Sequence, residues 1–174
     1  MRAYRLGDAR FPLLSGEGAA LYGGRWNSPG RRVVYASCDL ATAMLEYLAA
    51  SNDIVAKHSV WLELTLPEAV AVERVGRADL PEWDAHPPYA SRLFGDQWLA
   101  RSESIALVVP SVVVPTGENI VLNPAHPGFS KISAAPPNPL RWDRRLARLL
   151  RQVLAASLPM GLWTHLWRAQ VLAG

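Results

Sequence analysis

Residues 23–48, GGRWNSPGRRVVYASCDLATAMLEYL, contain a glycine-framed loop, a short β-branched strand and a helix in immediate succession. The loop carries Arg25 between a glycine pair and Trp26, and the helix carries Glu46. Two opposite charges about twenty residues apart can face one cleft, where the arginine grips an anion and the carboxylate stabilises a cation that forms beside it. The rest of the chain is poor in catalytic groups, so this pair carries most of the functional information.

The composition is that of one folded domain. The chain has 174 residues, 50% of them hydrophobic and 19% charged, which is enough to bury a core and argues against general disorder. Cys38 is the single cysteine, so no intramolecular disulfide is possible, and the four histidines lack ligand spacing, so no metal site is predicted. No apolar run has the length of a signal peptide or a membrane span, and the cytoplasm is the expected location.

The net charge of +3 is unevenly distributed along the chain. Residues 1–140 contain 12 Lys and Arg against 14 Asp and Glu, whereas residues 141–174 contain 6 against 1. The basic character therefore belongs to the C-terminal segment. A nucleic-acid-binding domain usually has a basic face on its folded core, so the slightly acidic main body argues against that function.

The hydrophobic pattern predicts five to seven short strands, which are expected at 3–6, 32–37, 60–66 and 119–122, with two more inside the apolar run 105–114. Pro110 and Ser111 are expected to kink the chain between those last two strands, because proline cannot sit in a central ladder. In the strand at 60–66, the apolar side chains are expected on one face at Val60, Leu62, Leu64 and Leu66.

Helices are predicted from residue 40 to about 50 with Ser37 or Asp39 as the cap, at 95–100 with Asp96 as the cap, and from 143 to about 158. Residues 7–30 and 67–95 are expected to be largely irregular. Because strands and helices do not alternate regularly, the predicted fold class is mixed α+β rather than a doubly wound sheet.

A helical projection at about 100° per residue places Glu46 opposite an apolar arc formed by Leu40, Met44, Leu45, Tyr47 and Leu48. The projection therefore predicts that Glu46 lies off the core. Two alternatives follow: a solvated surface glutamate, or a carboxylate on a face that a ligand approaches closely. Small neighbours on that face, Thr42, Ala43, Ala49 and Ala50, favour the second.

Three further residues have alternative interpretations. Arg25 either binds phosphate through its planar fork or pairs with a carboxylate. Tyr35 either stacks on a planar ring or packs in the core. Ser111 has no histidine or aspartate placed to activate it, so a turn or hydrogen-bonding role is favoured over a Ser-His-Asp hydrolase. No Gly-x-Gly-x-x-Gly or Gly-Lys-Ser/Thr fingerprint occurs in the chain.

Six motifs in order resemble the RES domain, the family of bacterial toxins of RES–Xre type toxin–antitoxin modules: GGRWNSPG (23–30), VVYAS (33–37), LATAMLEYL (40–48), GDQWLA (95–100), VPSVVVP (109–115) and NIVLNPAHP (119–127). The resemblance extends from about residue 4 to about residue 146. The family is named for an arginine, a glutamate and a serine, which by position are Arg25, Glu46 and Ser111. Tyr35 falls on the family's active-site tyrosine.

The resemblance implies a fold similar to diphtheria-type ADP-ribosyltransferases, with mainly antiparallel, short-stranded sheets. It implies a toxin that consumes NAD as a substrate, not as a cofactor, by glycohydrolysis or phosphorolysis; the alternative is an ADP-ribosyltransferase that modifies a protein. Glu46 would then stabilise an oxocarbenium-like transition state. Arg25 would bind phosphates or ribose with Trp26 beside it, Tyr35 would pack on the nicotinamide, and Ser111 would orient a ribose or amide group.

The resemblance also implies a partner, an Xre-type antitoxin with a helix-turn-helix DNA-binding domain, whose C-terminal part blocks the NAD cleft in a hetero-oligomer. DNA contact is expected only through that antitoxin, and no membrane contact is expected. The predicted organisation is a RES domain at 1–146 followed by a C-terminal helical extension at 147–174 of open role. The alternative from another class is a non-enzymatic or nucleic-acid-directed toxin that acts through the basic segment 141–151.

Overall fold

A computed structural model of the protein describes residues 1–50, 58–143 and 145–146. The elements in this part of the chain are β1 Arg2–Asp8, α1 Glu17–Tyr22, β2 Val34–Ser37, α2 Leu40–Ala50, β3 Ser59–Thr65, β4 Val72–Arg74, α3 Tyr89–Arg101, β5 Ala106–Pro110, β6 Glu118–Leu122, a 3₁₀ helix Pro127–Lys131, β7 Ser133–Ala134 and β8 Asn138–Pro139. The predicted helix from 143 to about 158 and the predicted extension at 147–174 fall almost entirely outside the described residues.

The strands form one sheet in the order β4-β5-β6-β2-β1-β3-β7, with β8 also paired to β3. The pairing of β4 with β5 is parallel, and the other described pairings are antiparallel. This architecture confirms the predicted mixed α+β class with mainly antiparallel, short strands.

The core lies on both faces of the sheet. On β3, the predicted alternation is confirmed, because Leu62 and Leu64 are almost fully buried and Glu63 between them is only partly buried. On β5, every residue from Ala106 to Val109 is at most 1% exposed, and successive side chains enter two different apolar clusters. Burial on both faces explains why this segment is continuously apolar in the sequence.

The structure corrects three predictions about irregular and helical segments. Helix α1 lies inside the stretch 7–30, and β4 lies inside 67–95. Helix α3 begins at Tyr89, so Asp96 is not its cap but lies within it. A Cβ atom added to Gly95 would lie 1.9 Å from the carbonyl oxygen of Trp26, so glycine at this helical position permits close contact with the loop that carries Arg25.

The second strand predicted after Pro110 does not form. The chain turns instead at Ser111, whose backbone N–H donates to Gly117 O while its side-chain oxygen accepts the N–H groups of Val113 and Val114. These local bonds replace a strand ladder. The resulting turn, residues 111–117, connects β5 to β6.

Candidate active site

Helix α2 presents Glu46 to the sheet. Asp39, one of the two residues predicted as the cap, does cap the helix: its Oδ1 atom accepts a hydrogen bond from the backbone N–H of Thr42 at 2.8 Å. The buried face of α2 consists of Thr42, Ala43, Tyr47 and Ala50, and the helix packs on β1, β2 and β6. The predicted apolar arc is therefore wrong in part, since Leu45 is 45% exposed. Small side chains on the buried face let the helix approach the sheet more closely than leucine would.

Glu46 is half-buried and held by two donors. Its Oε1 atom accepts a hydrogen bond from Ser111 Oγ at 2.6 Å and another from Asn119 Nδ2 at 2.6 Å. The Oδ1 atom of Asn119 in turn accepts from Ser37 Oγ at 2.7 Å, which fixes the orientation of the amide. Within the described residues, Oε2 accepts no hydrogen bond. Glu46 is therefore an oriented carboxylate with one oxygen left for a ligand, and not a solvated surface residue.

Ser111 is fully buried and makes no nucleophile-and-base pair. Its hydroxyl donates to Glu46 and accepts from two backbone N–H groups, and in the described part of the chain it bonds to no histidine. Cys38 offers no reactive thiol either, because burial, with the Glu118 carboxylate nearby, raises its pKa to about 11. The chemistry of this site therefore rests on the carboxylate.

Glu46 lies at the junction of two adjoining cavities. The larger, here called the cleft, has a volume of about 700 Å³ with its open mouth and is lined by Arg25, Trp26, Tyr35, Glu46, Ala49, Ala50, Pro110, Val112, Val113 and Asn119. The smaller, here called the side cavity, has a volume of about 450 Å³ with its opening and is lined by Tyr4, Arg5, Leu6, Tyr35, Ala36, Ser37, Ala43, Glu46, Tyr47 and Asn119.

Arg25 is anchored to backbone carbonyls across the cleft wall. Its Nη1 atom donates to Trp83 O and to Ala85 O, both at 3.0 Å. Burial lowers the pKa of the guanidinium, and the Asp84 and Glu46 carboxylates oppose that shift. Within the described residues Arg25 forms no ion pair. The remaining donors of its fork are available to an anion in the cleft.

Arg5 was missed by the sequence analysis, although it lines the side cavity. It is 8% exposed, and it donates from Nε to Leu13 O at 3.1 Å and from Nη1 to Tyr35 O at 2.9 Å. Burial lowers the pKa of its guanidinium to about 10, so it remains charged at neutral pH, and it has no carboxylate partner among the described residues. Arg5 and Ala3 lie on the same buried face of β1. The sequence did contain a signal for Arg5, namely a charged residue on the same face as an apolar one in the strand predicted at 3–6, since a buried charge needs a partner.

Tyr35 connects the strand β2 to the loop that carries Arg25. Its hydroxyl donates to Asn27 Oδ1 at 2.8 Å and accepts the backbone N–H of Trp26 at 3.0 Å. Tyr35 packs against the core cluster that contains Trp26 and Trp83, and it also lines both cavities. The Trp26 side chain is 2% exposed and meets Phe94 edge-on, so it supports the cleft wall from behind. The structure thus brings together all five residues singled out in the sequence, and adds Arg5, Asn119 and Ser37.

Among the described residues, the structure contains neither a candidate metal-ion site nor a candidate membrane-spanning helix. No group of three or more His, Cys, Asp and Glu side chains there could hold a metal ion. No described helix is long and apolar enough to cross a membrane.

Residues 2–143 match the model of the RES domain. The chain is 38% identical over 140 residues to "Prs ADP-ribosylating toxin" of Sphingobium sp., which covers 78% of this chain and 87% of that protein. It is 33% identical over 151 residues to "Toxin Res" of Yersinia enterocolitica, covering 84% and 99%. The fold is similar to a chain of the M. tuberculosis MbcT-MbcA toxin-antitoxin complex, with a TM-score of 0.63 and 19% identity over 88% of each chain.

Proposed function

The chain belongs to the RES domain family, and from that premise we propose that it is the toxin of a toxin–antitoxin pair and cleaves the nicotinamide–ribose bond of NAD. The observation that carries the proposal is the Glu46 carboxylate, fixed through Oε1 by Ser111 and Asn119 at the junction of two cavities. Its Oε2 atom is free to face a sugar.

NAD cleavage requires an oriented carboxylate but no general acid. Nicotinamide leaves as a neutral ring from a cationic one, so the leaving group needs no proton. The transition state resembles an oxocarbenium ion, as in glycoside hydrolysis. A carboxylate held in advance by Ser111 and Asn119 stabilises that cation without reorganising, and its free oxygen can also accept a bond from a ribose hydroxyl.

Two arginines provide for the negative charge of the dinucleotide. Arg25 borders the cleft and Arg5 borders the side cavity, with Tyr35 and Glu46 shared between them. A buried guanidinium without a carboxylate partner is costly unless an anion compensates it, which gives Arg5 a use in binding phosphate or ribose oxygens. We assign Arg25 to the same task, and Tyr35, which lines both cavities, to packing on the nicotinamide. Trp26 supports the wall behind them.

The acceptor of the ADP-ribosyl group decides between two activities. Transfer to water or phosphate makes the protein a glycohydrolase or a phosphorylase, in which NAD is the substrate and no further cofactor takes part. Transfer to a protein side chain is the second candidate, and its support is the name of the Sphingobium relative, an ADP-ribosylating toxin.

The test is incubation of the purified protein with adenine-labelled NAD, with and without phosphate and with and without a bacterial lysate. Release of nicotinamide supports the proposal, and the labelled product identifies the acceptor as water, phosphate or protein. Glu46→Gln is the matched inactive control. A wild-type protein that releases no nicotinamide under any of these conditions refutes the proposal, and growth inhibition without NAD loss would favour action through the basic segment 141–151.

The proposed partner is an Xre-type antitoxin that restrains the toxin in the cytoplasm, contacts DNA in its place and forms a hetero-oligomer with it. Support comes from the toxin–antitoxin complex that shares this fold. A segment that blocks the cleft has to approach Arg25, so we expect it to offer a carboxylate or a chain terminus there. Co-expression followed by an NAD assay tests the model, since full turnover by the undissociated complex contradicts occlusion. In our proposal, the RES domain at 1–146 carries all of these functions.

A further inference from the structure

Arg77 lies in the segment between β4 and α3, beside the turn 111–117. Its Nη2 atom donates to Ser111 O at 3.2 Å and to Pro115 O at 2.5 Å, and its guanidinium carbon lies 5.0 Å from the centroid of the Trp83 ring. We propose that Arg77 is a positioning residue for NAD cleavage, one that ties a wall of the cleft, the turn 111–117, to the segment that anchors Arg25. The proposal rests on the function proposed above.

This wall is the turn 111–117. Ser111 directs its hydroxyl to Glu46, and Val112 and Val113 border the cleft although they are 48% and 39% exposed. Arg77 holds the carbonyl of Ser111 at one end of this turn and the carbonyl of Pro115 near the other. One guanidinium therefore fixes the part of the turn that orients the carboxylate and forms the apolar rim.

On its other side, Arg77 contacts the segment 83–85, which anchors Arg25. Trp83 is 6% exposed, and its carbonyl oxygen accepts from Arg25 Nη1. The face of its indole ring lies beneath the Arg77 guanidinium, an arrangement that favours a planar cation. Through Trp83 on one side and Ser111 on the other, Arg77 contacts the immediate supports of both Arg25 and Glu46.

Only an arginine fits this position. Its flat fork stacks on the indole while the same group donates to two carbonyls, which the compact ammonium of lysine cannot reproduce. Arg77 is itself exposed, so its removal should leave the core intact and act mainly on the geometry of the cleft. That difference separates a positioning role from a general contribution to stability.

The test compares Arg77→Ala and Arg77→Lys with Arg101→Ala, a control arginine whose described partners are Glu73 and Glu103, away from the cleft. In Arg77→Ala we expect faster amide hydrogen exchange in 111–117 and in 83–85 together, and in neither segment of the control. We expect kcat/KM for NAD to fall about tenfold, the size of a lost charged hydrogen bond, with KM raised through the displaced Arg25 and kcat lowered through the displaced Glu46. Arg77→Lys should resemble the alanine variant.

The outcomes separate the two proposals. If the wild-type protein is active and Arg77→Ala has the same kinetic constants and the same amide exchange, the positioning role is overturned and the proposed function stands. Equal losses in Arg101→Ala, or full recovery in Arg77→Lys, overturn it as well. A wild-type protein that releases no nicotinamide overturns the proposed function itself, and this role with it.

Discussion

Replacing Glu46 by glutamine is expected to abolish most NAD cleavage while keeping the fold. The glutamine keeps the size of the side chain and an oxygen that can accept from Ser111 and Asn119, but it removes the charge that faces the cation. Loss of one preorganised electrostatic contact typically costs about 3–4 kcal/mol in the transition state, so kcat should fall about 10²–10³-fold. This loss should appear in kcat more than in KM, because the cation exists only in the transition state.

The expected change in stability is much smaller. Two hydrogen bonds to a charged acceptor become bonds to a neutral one, at a cost of at most about 1 kcal/mol each. The half-buried carboxylate also no longer has to be desolvated, which offsets part of that cost. The melting temperature should therefore fall by no more than about 8 °C, at about 2–4 °C per kcal/mol for a chain of this size.

The assay is nicotinamide release at saturating NAD, with thermal melting on the same samples. Glu118→Gln is the matched control, because Glu118 precedes Asn119 on β6 but pairs with Arg74 at the surface. We expect that control to retain wild-type activity. A Glu46→Gln protein that is folded and works within about threefold of the wild-type rate would refute the role given to the carboxylate.

Three further substitutions test other parts of the site. Arg25→Lys should raise KM for NAD about tenfold or more in steady-state kinetics, because a point charge cannot grip two oxygens; unchanged constants would restore a purely structural role. Arg5→Lys keeps the charge and should likewise lower kcat/KM about tenfold or more, and an active variant would remove Arg5 from the site. Gly95→Ala would place Cβ 1.9 Å from Trp26 O, so urea unfolding should show a loss of at least about 2 kcal/mol, and wild-type stability would contradict the close approach.

The sequence predicted α2 and five of the eight described strands, β1, β2, β3, β5 and β6, because their signals are local. The alternation on β3 and the Asp39 cap each depend on neighbouring residues, and each is confirmed. The failures involve distant contacts. Asp96 has the composition of a helix cap, but its carboxylate accepts the N–H and hydroxyl of Ser28, 68 residues away in the chain. No local pattern contains that bond.

The site shows the same division. Arg25, Glu46 and Ser111 were found by motif order, yet nothing in the motifs shows that Ser111 and Asn119 share one oxygen of Glu46. The orientation of α2 was mispredicted for a physical reason. The projection ranks leucine as more buried than alanine, whereas close packing of a helix on a sheet favours small residues at the contact.

The structure places an arginine in each of the two cavities that meet at Glu46, where the family resemblance pointed to one, and their surroundings suggest different tasks. Arg25 is half-exposed and shares one nitrogen between the carbonyls of Trp83 and Ala85, which suits a group that meets the incoming ligand. Arg5 is buried, bonds to the Tyr35 carbonyl and has no countercharge among the described residues. A fixed, uncompensated cation stabilises an anion more strongly than a solvated one does. We therefore expect Arg5 to hold an anionic group of NAD in the side cavity, and Arg25 to hold one in the cleft, where the Glu46 carboxylate already acts on its guanidinium.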